Sequence, residues 1–230
     1  MLTIFAHRAN IIGADDATEN TVPALRAALS RGWGAEIDIR RASDGEFYIS
    51  HDHRPGASGA EADQFFEVCR AHPHAPIALN VKESGYEEEL IAYLDAQGVL
   101  RQTFLFDMEL AEPRAGEMAA TFRRLHPAVA LAARISDRGE PIERALGIAA
   151  ASIIWLDEFD SPWCTADDVK RLKDASRTVY AVSPELHGFG LDFVRARWAQ
   201  WMAWGVDGIC TDYPARAARM LAQAADGVSV

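Results

Sequence analysis

FAHRAN at 5–10, ENT at 19–21, AEIDIR at 35–40 and YISHD at 48–52 are the pieces of one stretch, Phe5 to Asp52, on which the fold turns. Polar or ionisable groups mark each apolar run: His7-Arg8 ends the first, Glu36 and Asp38 interrupt the second, and His51-Asp52 ends the third. Ala35 to Arg40 alternates strictly, with Ala35, Ile37 and Ile39 on one face and Glu36, Asp38 and Arg40 on the other. That two-residue period is the signature of a strand. Asn20 or Thr21 can cap a helix with Pro23 in its first turn and Val22, Leu25 and Leu29 as its apolar stripe; Gly32 and Gly34 stop it. Gly45 then turns the chain into Phe47–Ile49, either as an antiparallel return or as an extension of the same strand.

The rhythm continues past Asp52. Strands are predicted at Ile77–Val81, Thr103–Phe106, Val129–Ala132, Ser152–Leu156, Thr178–Val182 and Val206–Cys210. Helical patterns alternate with them at Glu61–Arg70, Tyr86–Gln97, Gly116–Leu125, Glu140–Ala149, Thr165–Ala175, Leu191–Trp204 and Tyr213–Ala224. About eight strand–helix units in 230 residues, with no linker-like segment, predict a single-domain (β/α)₈ barrel over residues 1–230. An open doubly wound sheet is the runner-up, but no GxGxxG turn follows the first strand.

Composition narrows the function classes. A net charge of −11 argues against a nucleic-acid partner, whose phosphates require a basic surface, yet leaves room for a small anionic substrate held by local cations. No apolar run is long enough to span a bilayer, and MLTIFAHR lacks the basic start and apolar core of a signal peptide. Three scattered cysteines (Cys69, Cys164, Cys210) outside any CxxC pair fit buried thiols in a reducing cytoplasm. GxSxG, P-loop and HExxH motifs are all missing.

In a barrel the chemistry sits at the carboxyl ends of the strands. His7, Glu36, Asp38, His51, Lys82, Asp107, Arg134, Asp157, Glu185 and Asp212 all fall at such ends. Glu36-x-Asp38 places two carboxylates on one strand face, where they could grip a hard divalent cation, Mg²⁺ or Ca²⁺; an exposed face with solvated charges would look the same. His7 and His51 suit proton transfer near neutral pH, although a histidine after a strand is as readily a packing residue. Arg8 and Lys82 could clamp a phosphate or simply pair with rim carboxylates. The other five histidines, His187 among them, are expected to be solvated. Of the six tryptophans, Trp155, Trp198, Trp201 and Trp204 read as core, and Trp163 is the one considered for substrate contact.

Together, His7-Arg8, Glu19-Asn20-Thr21, Glu36-Ile37-Asp38, Asp44-Gly45, His51-Asp52, the GVDGI run at 205–209 and Thr211-Asp212-Tyr213-Pro214 resemble the glycerophosphodiester phosphodiesterase family, in its order. The segment 85–200 shares only the rhythm. The resemblance implies a (β/α)₈ barrel that hydrolyses phosphodiesters with a bound divalent cation. It implies His7 and His51 as general acid and base in either order, Glu36 and Asp38 as metal ligands, and Arg8 as a phosphate contact. Three departures stand out. Ala9 occupies the family's usual glycine position, which predicts a differently shaped first loop. Asn80, two residues before Lys82, replaces the family's third carboxylate ligand; its carbonyl oxygen can still coordinate, with one negative charge fewer. Only the 25 positions 52–76 separate His51 from Ile77, too few for the insertion many members carry there. The expected substrate is a glycerophosphodiester or a related small or lipid phosphodiester. The alternatives are a sphingomyelinase-type lyase that forms a cyclic phosphate and a barrel that binds phosphate esters without turnover.

Overall fold

The computed structural model describes residues 2–54, 56, 60–107 and 114–226. Its elements run β1 (Thr3–Ala6), α1 (Val22–Leu29), β2 (Gly34–Arg41), β3 (Phe47–Ile49), α2 (Ala60–Ala71), β4 (Ile77–Val81), α3 (Glu87–Ala96), β5 (Thr103–Phe106) and α4 (Glu117–Leu125). They continue with β6 (Ala130–Ile135), α5 (Ile142–Gly147), β7 (Ile153–Leu156), α6 (Ala166–Asp174), β8 (Thr178–Val182), α7 (Leu191–Trp204), β9 (Gly208–Thr211) and α8 (Pro214–Asp226). The strand order is β1-β9-β8-β7-β6-β5-β4-β2, and β1 pairs with β2 to close a barrel of eight parallel strands. β3 is the antiparallel return of the two options, pairing Ile39 with Ile49. Residues 55 and 57–59, within the short span between His51 and Ile77, lie outside the described residues.

Alternation along the strands sorts side chains between two cores. Ala35, Ile37 and Ile39 of β2 join the outer layer with Leu25, Phe66, Leu94 and Trp198 of the helices. Inside the barrel, Phe5, Phe104, Trp155 and Tyr180 pack as an aromatic plug. Phe5 meets Tyr180 at 4.9 Å and Phe104 at 5.7 Å between ring centroids, both edge-on, the geometry that ring quadrupoles prefer. The inner positions of β2 above this plug are Glu36 and Asp38.

Local chemistry sets the element ends. Thr21 Oγ1 accepts from the Ala24 N–H at 3.4 Å with Pro23 in the first turn, as the sequence predicts for α1. α6 starts on a reciprocal capping box between Thr165 and Asp168. Two predicted starts move by two residues, and the strand expected to end at Ala132 runs on to Ile135. The helix expected from Glu140 begins at Ile142, because the Glu140 carbonyl accepts from the Ser136 N–H in a β-bridge and its carboxylate is drawn to Arg134. The strand expected from Val206 begins at Gly208, since the Asp207 carboxylate is engaged by the Val179 N–H at 2.7 Å and by Lys173.

Gly34 marks where the barrel wall is tightest. A Cβ there would stand 2.5 Å from the Pro76 carbonyl oxygen and 2.8 Å from the Phe5 ring. Neither the backbone nor the plug can yield cheaply. Gly34→Ala is expected to lower stability by roughly 1–3 kcal/mol in chemical denaturation. Gly147→Ala, whose Cβ would meet nothing within 4 Å, should be neutral or slightly stabilising. Equal effects from the two changes would contradict the packing described here.

Candidate active site

β1 delivers His7, and a short 3₁₀ turn over His7–Ala9 redirects the chain immediately after it. Arg8 and Ala9 both adopt left-handed backbones, φ 47° and 63°. Ala9 is fully buried and takes the conformation glycine favours, at a strain of about 1–2 kcal/mol. The turn aims the Arg8 N–H at Glu36 Oε2, 2.9 Å away. His7 Nδ1 lies 2.8 Å from Asp212 Oδ1, and Asn10 Nδ2 donates to the same oxygen at 3.3 Å. An ionised carboxylate only accepts, so the proton sits on Nδ1 and leaves Nε2, 3.9 Å from Glu36, on the cleft side. Burial works against the imidazolium, but the Asp212 hydrogen bond and the charges of Glu36 and Asp212 outweigh it and raise the His7 pKa.

Glu36 and Asp38 point inward from β2 and are 3% and 1% exposed, so the solvated-face alternative is excluded. Asp38 accepts from Asn20 Nδ2 at 2.9 Å and faces Lys82 Nζ at 3.0 Å. Burial opposes its charge, yet Lys82 and Asn20 hold its pKa below the usual range. Glu36 moves the other way: burial and the neighbouring Asp38 charge push it well above the usual carboxylate range. Two buried carboxylates share the available positive charge, and Glu36 receives less of it.

β4 brings Asn80 into register beside Asp38. Asn80 Nδ2 donates to Asp107 Oδ2 at 3.1 Å, while its buried Oδ1 has no hydrogen-bond partner. Arg8 Nε, 3.9 Å from Asp38 Oδ2, and Asn10 Oδ1 are likewise buried without a hydrogen-bond partner. Such orphaned atoms are costly unless a ligand meets them. Arg8 also forks onto Glu19, at 3.1 and 3.0 Å. His51 follows β3; its carbonyl is held by Arg40 at 3.0 and 2.6 Å and its Nδ1 lies 2.8 Å from Asp52. His7, Arg8, Glu36, Asp38, His51, Asn80 and Lys82, all seven sequence candidates, line one cleft of about 220 Å³ at the carboxyl end of the barrel.

The opposite side of that cleft, from β5 to β8, carries groups the sequence left without a role. Asp107, Arg134 and Asp157 line it, as expected of strand ends. Burial pushes the Asp107 carboxyl up to about 6, with Arg134 and Lys82 pulling against it. His187 was expected in solvent; it instead lines the cleft, with Nε2 2.6 Å from Asp157 Oδ1 and its ring 4.4 Å from Phe159. The contact with Asp157 spans 30 residues, so no local pattern announces it. The tryptophans also exchange places: Trp163 donates to the Asp157 carbonyl at 2.9 Å and packs on the core, whereas Trp155 is both core and cleft floor. Glu185 stands behind the site, accepting from Thr211, Ser183 and the Asp212 N–H.

Among the described residues, no group of three or more His, Cys, Asp or Glu could hold a metal ion. The oxygen set Glu36, Asp38 and Asn80 nevertheless fits a hard divalent cation. The Asn80 carbonyl oxygen lacks a hydrogen-bond partner, and burial beside Asp38 disfavours the Glu36 charge, a cost that a bound cation would offset. Also among the described residues, no helix is long and apolar enough to cross a membrane.

No family model and no curated protein matches the chain. Solved structures do match it. A glycerophosphodiester phosphodiesterase from Parabacteroides distasonis superposes with a TM-score of 0.75 at 16% identity, over 97% of this chain and 98% of that one. A glycerophosphoryl diester phosphodiesterase from the same organism gives 0.70 at 14% identity, over 97% and 87%. An Oleispira antarctica phosphodiesterase in complex with its product sn-glycerol-3-phosphate gives 0.65 at 18%, over 95% and 96%. What the chains share at these identities is the whole (β/α)₈ barrel.

Proposed function

We propose that the chain is a metal-dependent phosphodiesterase acting on a glycerophosphodiester or a related small or lipid phosphodiester. The observation that carries this is the convergence of two imidazoles, a buried acid pair and two cationic side chains on one cleft. Glu36, Asp38 and Asn80 would hold Mg²⁺ or Ca²⁺, which when bound supplies positive charge against the nonbridging phosphate oxygens. Arg8, whose Nε makes no hydrogen bond, and Lys82 hold the same phosphate. His7 and His51 act as general base and acid, one taking a proton from the attacking hydroxyl and the other protonating the leaving alkoxide. Asp212 keeps His7 in the tautomer that presents Nε2 to substrate. Three buried, unpaired thiols support placement in the cytoplasm.

One observation favours a second possibility, binding without turnover: Lys82 already sits on Asp38 at 3.0 Å, and Asn80 brings no charge. Assaying the purified chain on glycerophosphocholine, glycerophosphoglycerol, glycerophosphoinositol and lysolipids with Mg²⁺ or Ca²⁺ separates the two. Turnover abolished by EDTA and restored by the cation is the expected result. Asn80→Glu should tighten the cation requirement by about tenfold, through the added carboxylate. Full activity after chelation would remove the metal from the proposal; no turnover on any diester, even with Asn80→Glu, would leave binding alone.

A further inference from the structure

We propose that His187, oriented by Asp157, is a specificity-determining residue that receives free hydroxyls on the alcohol portion of the diester, so that polyol phosphodiesters are preferred. This rests on the phosphodiesterase reading above. The cleft has two walls. The phosphate-directed groups come from β1, β2, β4 and the exit of β3; Arg134 of β6, Asp157 and Phe159 after β7, and His187 after β8 come from the far side.

His187 is built in rather than left over. It closes a short 3₁₀ turn over Pro184–His187, which ends at Gly188 with φ 85°. Its side chain is 17% exposed and that of Asp157 is 7% exposed. The Asp157 backbone is fixed from both sides, its N–H donating to the Ile135 carbonyl and its own carbonyl accepting from Trp163, each at 2.9 Å. The carboxylate accepts the Nε2 proton of His187, which sets the tautomer and leaves Nδ1 as the acceptor in the neutral ring. The other ring nitrogen, Nδ1, makes no hydrogen bond among the described residues.

The surroundings select the chemistry of the partner. A second anionic group on the substrate is disfavoured: Asp107, Asp157 and Glu140 outnumber Arg134, whose guanidinium is engaged by Asp107 at 3.1 Å and by Glu140 at 2.7 and 3.1 Å. A quaternary ammonium would need open ring faces, yet Phe106 and Trp155 are only 2% and 4% exposed, and the Phe159 ring already carries Arg134, Arg138 and His187 at 5.4, 4.4 and 4.4 Å. A hydroxyl suits Nδ1 in either protonation state, donating to the neutral ring and accepting from the charged one.

Calorimetry with sn-glycerol 3-phosphate and propyl phosphate, Mg²⁺ present, tests this on the intact chain. The parent protein should bind the hydroxylated ester about tenfold more tightly. His187→Phe keeps the ring contact with Phe159; it should bring the ratio to about one and leave propyl phosphate affinity unchanged. Asp157→Asn, which leaves the imidazole in place without its orienting charge, should lower the ratio by about threefold and decides the matter if His187→Phe does not fold. A ratio unchanged in the folded variants, or equal losses for both esters, would overturn the assignment of His187 alone. A parent protein that binds neither ester and cleaves no diester would remove the phosphodiesterase reading, and this subsite with it.

Discussion

His7→Ala should lower phosphodiester cleavage by about 10²–10⁴-fold while the chain still folds. Asp212 keeps its hydrogen bond from Asn10, and the ring lines the cleft at the end of β1, so what disappears with it is chiefly a proton carrier. Asp212→Asn is the informative companion. Its amide can turn an N–H toward Nδ1, which would force the proton onto Nε2, the nitrogen that should be free to accept. A substantial part of the loss is therefore expected from a change of one atom that touches no substrate. Steady-state rates on the best diester from the substrate screen, compared with His51→Ala, provide the measurement. If His7→Ala retained activity within about twofold, acid–base work at that position would be ruled out.

Arg197→Ala should cost roughly 3–5 kcal/mol of stability, the largest structural effect expected anywhere in the chain. Arg197 of α7 is 5% exposed and Glu158, after β7, is 1% exposed. Nε donates to Glu158 Oε2 at 2.8 Å, NH2 reaches Glu158 and the Cys164 carbonyl, and the guanidinium lies over Trp204 at 4.8 Å. Removing one partner strands a carboxylate that has no access to water. The double change Arg197→Met with Glu158→Leu removes both charges and should recover most of the loss. Urea unfolding of the single and double variants decides it; a single-variant cost below about 1 kcal/mol would mean the pair is solvated after all.

The barrel was legible because its signals are local. Strict alternation in β2, the caps at Thr21 and Thr165, and ionisable residues at strand ends each follow from neighbours a few positions apart. The near wall of the cleft was legible for the same reason: His7, Glu36, Asp38 and His51 all belong to the first 52 residues. The far wall was not. His187 sits in a Pro-Glu-Leu-His-Gly turn that reads as surface, and only the closure of β7 against β8 brings it to Asp157. Trp163 misled for the opposite reason, because a loop tryptophan after proline looks available until its indole N–H is seen on the Asp157 carbonyl. Spacing from Lys82 singled out Asn80, and β4 brings it beside Asp38, but its orphaned oxygen is visible only in three dimensions.

The rings of Phe5, Phe104, Trp155 and Tyr180 have one more consequence, for traffic rather than for stability. They stopper the barrel beneath the cleft, so whatever enters at the carboxyl-end mouth has no rear exit. Under the phosphodiesterase reading, both fragments of a cleaved diester would have to leave by the mouth through which it came, past the side lined by Arg8 and Lys82.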